Sequence, residues 1–148
     1  MFKHILIPTD GSKLALKGIK AGIRLARALG ARATGVYVIP PYLPPMYGEA
    51  ALYVPGLSQP EYKRNAMRTA QKALAAITSA ARAAGVRSGT KTVYGALPWE
   101  GILRAARSAR CDVVVIASHG RGGLGGLILG SETQRVLAHS KIPVLVVR

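Results

Sequence analysis

Cysteine, aromatic side chains, long apolar runs and acids are all scarce in this chain, and each shortage removes a class of protein. The one cysteine, Cys111, cannot close an internal disulfide. No Cys/His cluster has zinc-ligand spacing, so neither a disulfide scaffold nor a structural zinc site is expected. Aromatics make up 5% of the residues, too few to furnish a stacking platform for single-stranded nucleic acid. No stretch approaches the roughly 20 apolar residues of a membrane span. At the start, Ile5-Leu6-Ile7 runs straight into Pro8-Thr9-Asp10-Gly11, which leaves no room for the apolar region of a signal peptide. Together these shortages predict a soluble, cytoplasmic protein. Acids are the sharpest case: 6 Asp+Glu face 21 Lys+Arg, a formal charge of +15. That excess calls for an anionic partner or a self-repelling, very soluble surface.

What is present is one domain's worth of chain, 148 residues of which 49% are hydrophobic, enough to bury a core without staples. Short β-branched runs alternate with long helical patterns. His4–Pro8, Thr34–Ile39, Ser88–Tyr94, Asp112–Ala117 and Val144–Val147 read as strands. The alternation predicts a single α/β domain, a five-stranded parallel sheet with helices on both faces. The first, fourth and fifth runs are continuously apolar, as strands covered on both faces are.

The clearest helix runs from Ser12 to Leu29, with Ser12 as its cap and Gly30 as its stop. At 3.6 residues per turn, Lys13, Lys17, Lys20, Arg24 and Arg27 fall on one narrow stripe, and Leu14, Leu16, Ile19, Ile23, Leu25 and Leu29 share the other side. A second helix is expected from near Glu61 to Ala84, stopped by Gly85, with Met67, Leu74 and Ile77 toward the core. Pro98 opens a third, through Ala109. The fourth follows Gly130-Ser131 and ends before Lys141. Between the second strand and second helix, Pro40 to Pro60 holds six of the nine prolines and Tyr42, Tyr47 and Tyr53. So long a connection at the carboxyl end of a strand reads as a lid over a ligand or as an exposed insertion.

Chemistry concentrates between Gly120 and Gly130, where six of eleven residues are glycine and Ser131 follows. Glycines after a buried strand and before a helix let backbone N–H groups approach a ligand, and the helix start favours an anion, phosphate above all. Ser131 adds a hydroxyl there, and as an N-cap it has an adequate structural role too. No Gly-Lys-Ser/Thr follows the glycines, so this is not the P-loop. Nor is it the dinucleotide fingerprint, which follows the first strand.

Four segments, in order along the whole chain, resemble the universal stress protein family: His4 to Ser12, Gly95-Ala96-Leu97-Pro98, Cys111 to Arg121, and Gly130-Ser131 with Ile142 to Val147. The resemblance implies strand order 3-2-1-4-5 and, usually, a dimer. One branch of the family binds ATP through Gly-x2-Gly-x9-Gly-Ser/Thr. Gly120 matches the second glycine and Gly130-Ser131 the end of the pattern, while Ala117 replaces the first glycine. Its methyl group is expected to crowd the ribose and to weaken rather than abolish binding. By the same resemblance, Pro8, Thr9, Asp10 and the backbone of Val38 line the adenine and ribose end, and Gly120, Arg121, Gly130, Ser131, Glu132 and Thr133 the phosphate end. ATP, with Mg²⁺ as an accompanying ion, is the implied cofactor.

Several residues carry competing readings. Asp10 can accept hydrogen bonds from ribose or adenine, or cap the first helix. Glu132 suits a helix start but would repel a triphosphate, so it is expected to point to solvent with Arg121 compensating. His119 has no matching nucleophile and reads as positioning backbone rather than as a general base. His4 and His139 have no motif around them. Cys111 reads as a small buried residue and Trp99 as packing. The leading expectation is a stress or signalling module whose ATP occupancy biases a conformation or contact. Few carboxylates attend the site, which argues against an efficient ATPase and leaves a slow one open. The rival is a basic interaction module: the first helix's stripe, with Arg64, Arg68 and Lys72 and with Arg104, Arg107 and Arg110, would bind nucleic acid weakly, non-specifically and salt-dependently. A homodimer through the fifth strand is expected, because Val144–Val147 would otherwise leave an apolar sheet edge unpaired.

Overall fold

A computed structural model of the protein describes residues 1–43, 58–118 and 129–148. These form β1 (His4–Pro8), α1 (Lys13–Leu29), β2 (Arg32–Ile39), α2 (Gln59–Ala83), β3 (Ser88–Tyr94), α3 (Pro98–Ala109), β4 (Val113–Ala117), α4 (Ser131–His139) and β5 (Val144–Val147). The strands make one parallel sheet in the order β3-β2-β1-β4-β5. Strand periodicity sorts the side chains into two cores. Ile5, Ile7, Val113 and Val115 face α1 and α2, where Ile19, Ile23, Leu74 and Ile77 cover them. Leu6, Val36, Val114 and Ile116 face α3 and α4, against Ile102, Ala105, Ala106 and Val136. Each such aliphatic side chain removed from water contributes about 1.5–3 kcal/mol, and this double burial is why the central strands read as unbroken apolar runs.

Local chemistry explains where elements begin and end. Ser12 Oγ accepts from Ala15 N at 3.1 Å, and Gly30 ends α1 in the left-handed region at φ 62°. α2 starts two residues earlier than expected, because Ser58 accepts from Glu61 N and donates to its carboxylate, a capping box that draws Pro60 into the first turn. β4 begins at Val113 instead of Asp112. The Asp112 carboxylate is engaged by Lys3 N (2.8 Å) and His4 N (3.1 Å), fixing the entry to β1. β2 starts two residues early, at Arg32, whose N–H donates to Lys3 O at 3.0 Å. One apolar assignment fails: Leu16 is 42% exposed, since 100° per residue sets it beside Arg27 and outside the buried stripe. Of the connection expected as a lid, Pro40 to Pro60, residues 44–57 lie outside the described residues, while Ser58, Gln59 and Pro60 belong to the cap and first turn of α2. At its edges, Tyr62 on α2 donates to Pro40 O at 2.7 Å and packs on Tyr42 with ring centroids 5.5 Å apart.

His4, without a motif in the sequence, is buried with Nε2 2.8 Å from Thr34 Oγ1. Burial, aided by the nearby Arg32 charge, lowers its pKa below the ordinary 6.5. Below pH 6.5 the unfolded chain therefore takes up a proton that the folded chain refuses, and stability falls as pH falls. His4→Gln is expected to flatten that part of a melting temperature against pH profile; an unchanged slope would assign the acid sensitivity elsewhere.

Candidate functional site

The switch in strand order lies between β1 and β4, and the ladder joining them is short. It carries Ile5↔Val113 and Leu6↔Val114, whereas β1 stays paired with β2 as far as Pro8↔Val36 and β4 with β5 as far as Ala117↔Val147. The two central strands part before they end. The gap sits at their carboxyl ends, where open α/β sheets take ligands.

One wall of this crevice is the turn after β1. Thr9 N donates to Val36 O at 2.9 Å. Thr9 Oγ1 accepts from Gly11 N at 3.1 Å, and Asp10 Oδ1 accepts from Ser12 N at 2.9 Å. Gly11 sits at φ 78°, a conformation that glycine adopts without strain. Asp10 therefore does cap the entry to α1, and it stands half-buried at the crevice as well.

The other wall is the junction of β4 and α4. Gly130 N donates to Ser118 O at 2.8 Å and Thr133 Oγ1 donates to Ala117 O at 3.0 Å, so the start of α4 is clamped to the end of β4. Ser118 N in turn holds Val147 O at 2.7 Å. Gly130, not Ser131, is the N-cap; Ser131 is the first helical residue, and among the described residues no side chain caps this helix. The first-turn N–H groups, which have no intrahelical acceptors, are left with the positive end of the helix at the mouth of the crevice. Gly130 has ordinary extended angles, φ −58° and ψ 146°.

Other expected site residues fall in mixed positions. Pro8 ends β1 at the crevice, and Val38 lies one strand away with its side chain under α3, where a Cβ at Gly101 would come within 2.7 Å of Val38 Cγ2. Thr133 is buried and its hydroxyl is committed to Ala117 O. Glu132 does not simply point to solvent. Its Oε2 accepts from Trp99 N at 2.8 Å and its Oε1 pairs with Arg135 at 3.2 Å. It supplies the cap that Leu97, the N-cap of α3, cannot. The Ala117 methyl faces α1: a Cβ placed on Gly18 would lie 3.5 Å from Ala117 Cβ and 3.0 Å from Ala117 N. His119, Gly120 and Arg121 lie outside the described residues.

A separate cleft of about 380 Å³ opens between α3 and the turn after α4, with Trp99, Leu103, Cys111 and His139 among its lining. Trp99 and His139 stack there at 4.4 Å. Burial, then the Asp112 charge, pushes the Cys111 thiol up to about 11, so it is a packed thiol and not a nucleophile. None of the strand-end residues lines this cleft. What the sequence reading passed over is the glycine pair Gly18 and Gly22, which brings α1 against β4 and β1. Two glycines four apart inside an amphipathic helix were the available signal. At Gly22 a Cβ would come 2.7 Å from Ile7 Cδ1.

Comparison with known proteins matches residues 1–148 to the model of the universal stress protein family. A universal stress protein of Thermus aquaticus is 32% identical over 148 residues, all of both chains. One from Methanocaldococcus jannaschii is 30% identical over 149 residues, covering 100% of this chain and 83% of its own. Among solved structures, a Methanocaldococcus jannaschii protein whose biochemical function was assigned from its structure superposes with a TM-score of 0.76 at 26% identity, covering 99% and 96% of the two chains. The same fold occurs in a universal stress protein in complex with cAMP (TM-score 0.71, 22% identity, 99% and 97% covered). It occurs again in one from Archaeoglobus fulgidus in complex with dAMP (TM-score 0.69, 18% identity, 100% and 98% covered).

Proposed function

Because the chain belongs to the universal stress protein family, we propose that it binds an adenine nucleotide in the crevice between β1 and β4. ATP, accompanied by Mg²⁺, is the ligand of this reading, and its occupancy biases a conformation or a partner contact in a stress response. The observation that carries it is the clamp of α4 onto β4: a helix start without a side-chain cap among the described residues is held where the two central strands part. Backbone donors and the helix dipole there suit phosphate. Pro8, Thr9, Asp10 and the backbone of Val38 take the adenine and ribose. The amides of Ser131, Glu132 and Thr133, with Gly130 and the adjoining His119, Gly120 and Arg121, take the phosphates. Glu132 is compatible with an anion at this end because its carboxylate is drawn to Trp99 N and Arg135. The fold itself holds cAMP in one relative and dAMP in another, which supports an adenine ligand as the guest. Calorimetric titration with ATP, ADP and AMP, with and without Mg²⁺, tests the reading. Saturable heat with ATP is expected; none with any of the three would overturn it.

The proposed assembly is a homodimer through β5. This edge strand offers Leu145, 45% exposed, beside backbone groups that, among the described residues, have no strand on the outer side of the sheet. Sedimentation at physiological salt, where screening limits repulsion between copies, is expected to give a dimer, and Leu145→Arg a monomer. A parent protein monomeric at micromolar concentration would refute it.

A further inference from the structure

The sheet separates two helical layers that differ sharply in charge. α1 and α2 carry five Lys+Arg each against one acid, Glu61, a net +9. α3 and α4 carry three Arg against two Glu, a net +1. Among the described residues the one salt bridge, Arg135–Glu132, is in the second layer, and Glu61 is already engaged in capping α2. Lys13, Lys17, Lys20, Arg24 and Arg27 are all exposed, and they fall within an arc of about 80° over about 21 Å of α1. On α2, Arg64, Arg68, Lys72 and Arg82 are exposed too, within a similar arc over about 27 Å. Both helices lie side by side on one sheet face. Arg104, Arg107 and Arg110, grouped with them in the sequence, are not on these helices.

We propose that the outer face of α1 and α2 is a docking track for the phosphate backbone of double-stranded nucleic acid, read without regard to sequence. Two parallel rows of cations match a polymer that carries one negative charge per about 1.7 Å of axis and releases condensed counterions when neutralised. A single strand is disfavoured because α1 has no aromatic residue and the one on α2, Tyr62, is held by Pro40 O and Tyr42; stacking has no platform. Membrane insertion needs an apolar face, and the apolar sides of both helices are spent on the sheet. Among their described residues Leu16 is the one large exposed apolar side chain, too little for the apolar centre of a protein interface.

Fluorescence anisotropy of a labelled duplex of about 25 base pairs tests this, with salt titrated at each affinity. With about six phosphates neutralised, three under each helix, log Kobs should fall against log salt with a slope near −5.4, a loss of roughly 2,000-fold between about 50 and 200 mM. Lys17→Gln/Lys20→Gln/Arg24→Gln should reduce that slope by about 2.7, as should Arg64→Gln/Arg68→Gln/Lys72→Gln. All six positions are exposed, and circular dichroism checks the fold. Arg107→Gln/Lys141→Gln, on the opposite side, should leave the slope unchanged. The proposal is overturned if the duplex does not bind at low salt or the slope is shallow. The same holds if the α1 and α2 variants bind like the parent, if a single strand of equal length competes better, or if phosphatidylserine vesicles bind where the duplex does not.

Discussion

Gly130→Val is expected to abolish the stabilisation by ATP that the proposed site implies, while leaving the sheet folded. At a ligand concentration about a hundred times Kd, a bound nucleotide raises stability by about 2.7 kcal/mol, and this shift is what the variant should lose. Gly130 is the N-cap of α4 and holds φ −58° and ψ 146°, angles open to any residue, so valine imposes no backbone strain. The Gly130 N to Ser118 O bond of 2.8 Å survives, because valine keeps its N–H. What changes is the space at the start of α4, where the proposed site puts the phosphates and valine adds an isopropyl group. Ala117→Gly is the matching control. Its methyl faces Gly18 on α1, so its loss should leave ATP affinity unchanged and cost about 0.5–1 kcal/mol, the usual penalty of glycine in a strand. Thermal melts with and without ATP read both variants. An undiminished ATP shift in Gly130→Val would move the phosphates to another place, and tighter ATP binding by Ala117→Gly would restore the methyl as an obstruction.

Both outcomes turn on how much of the site the sequence made legible. The fold was open to reading because its signals are local. Pro98 at a first helical turn, Gly30 after an amphipathic stripe and the apolar run Val113–Ala117 each decide their own stretch of chain, and all five strands and four helices follow from such signals. The strand order came instead from family resemblance, since nothing in the local pattern distinguishes which neighbour β1 takes. Side-chain roles in the site were harder. Glu132 looks like a solvated helix-start carboxylate until α3 is placed beside it, when Trp99 N becomes its partner 33 residues away in sequence. Ser131 has the composition of an N-cap, but tertiary clamping by Thr133 and Gly130 fixes the helix start one residue earlier. The face that the Ala117 methyl takes depends on strand parity, Val113 and Val115 pointing to α1, which the family pattern does not display. Contacts between elements distant in the chain decided each of these, and a single sequence does not display them.

Gly18→Val is the substitution expected to damage the fold most among those considered, by about 2–3 kcal/mol, within the range for overpacking a tight interior. A Cβ at Gly18 would sit 3.0 Å from Ala117 N and 3.6 Å from Ala117 Cα. The neighbour is backbone of a central strand, which cannot rotate out of the way as a side chain can. Gly18→Ala sets two effects of similar size against each other, because alanine gains about 0.8–1 kcal/mol of helix propensity over glycine while its one methyl needs a shift of a few tenths of an ångström; a small net change is expected. Valine adds two further methyl groups to the same contact and gains less propensity, so the steric cost wins. For a domain of this size each kcal/mol moves the melting temperature by about 2–4 °C, which puts the Gly18→Val melt about 4–12 °C below the parent. Prying α1 from β4 also displaces the Thr9–Ser12 turn that enters α1, so the ATP-induced shift should shrink together with the melting temperature. Gly30→Ala separates packing from conformation: it meets nothing within 4 Å but sits at φ 62°, and its cost of about 1 kcal/mol should come with an intact ATP response. A Gly18→Val protein that melts with the parent would mean that α1 does not rest on the end of β4, and the wall of the crevice would have to be redrawn.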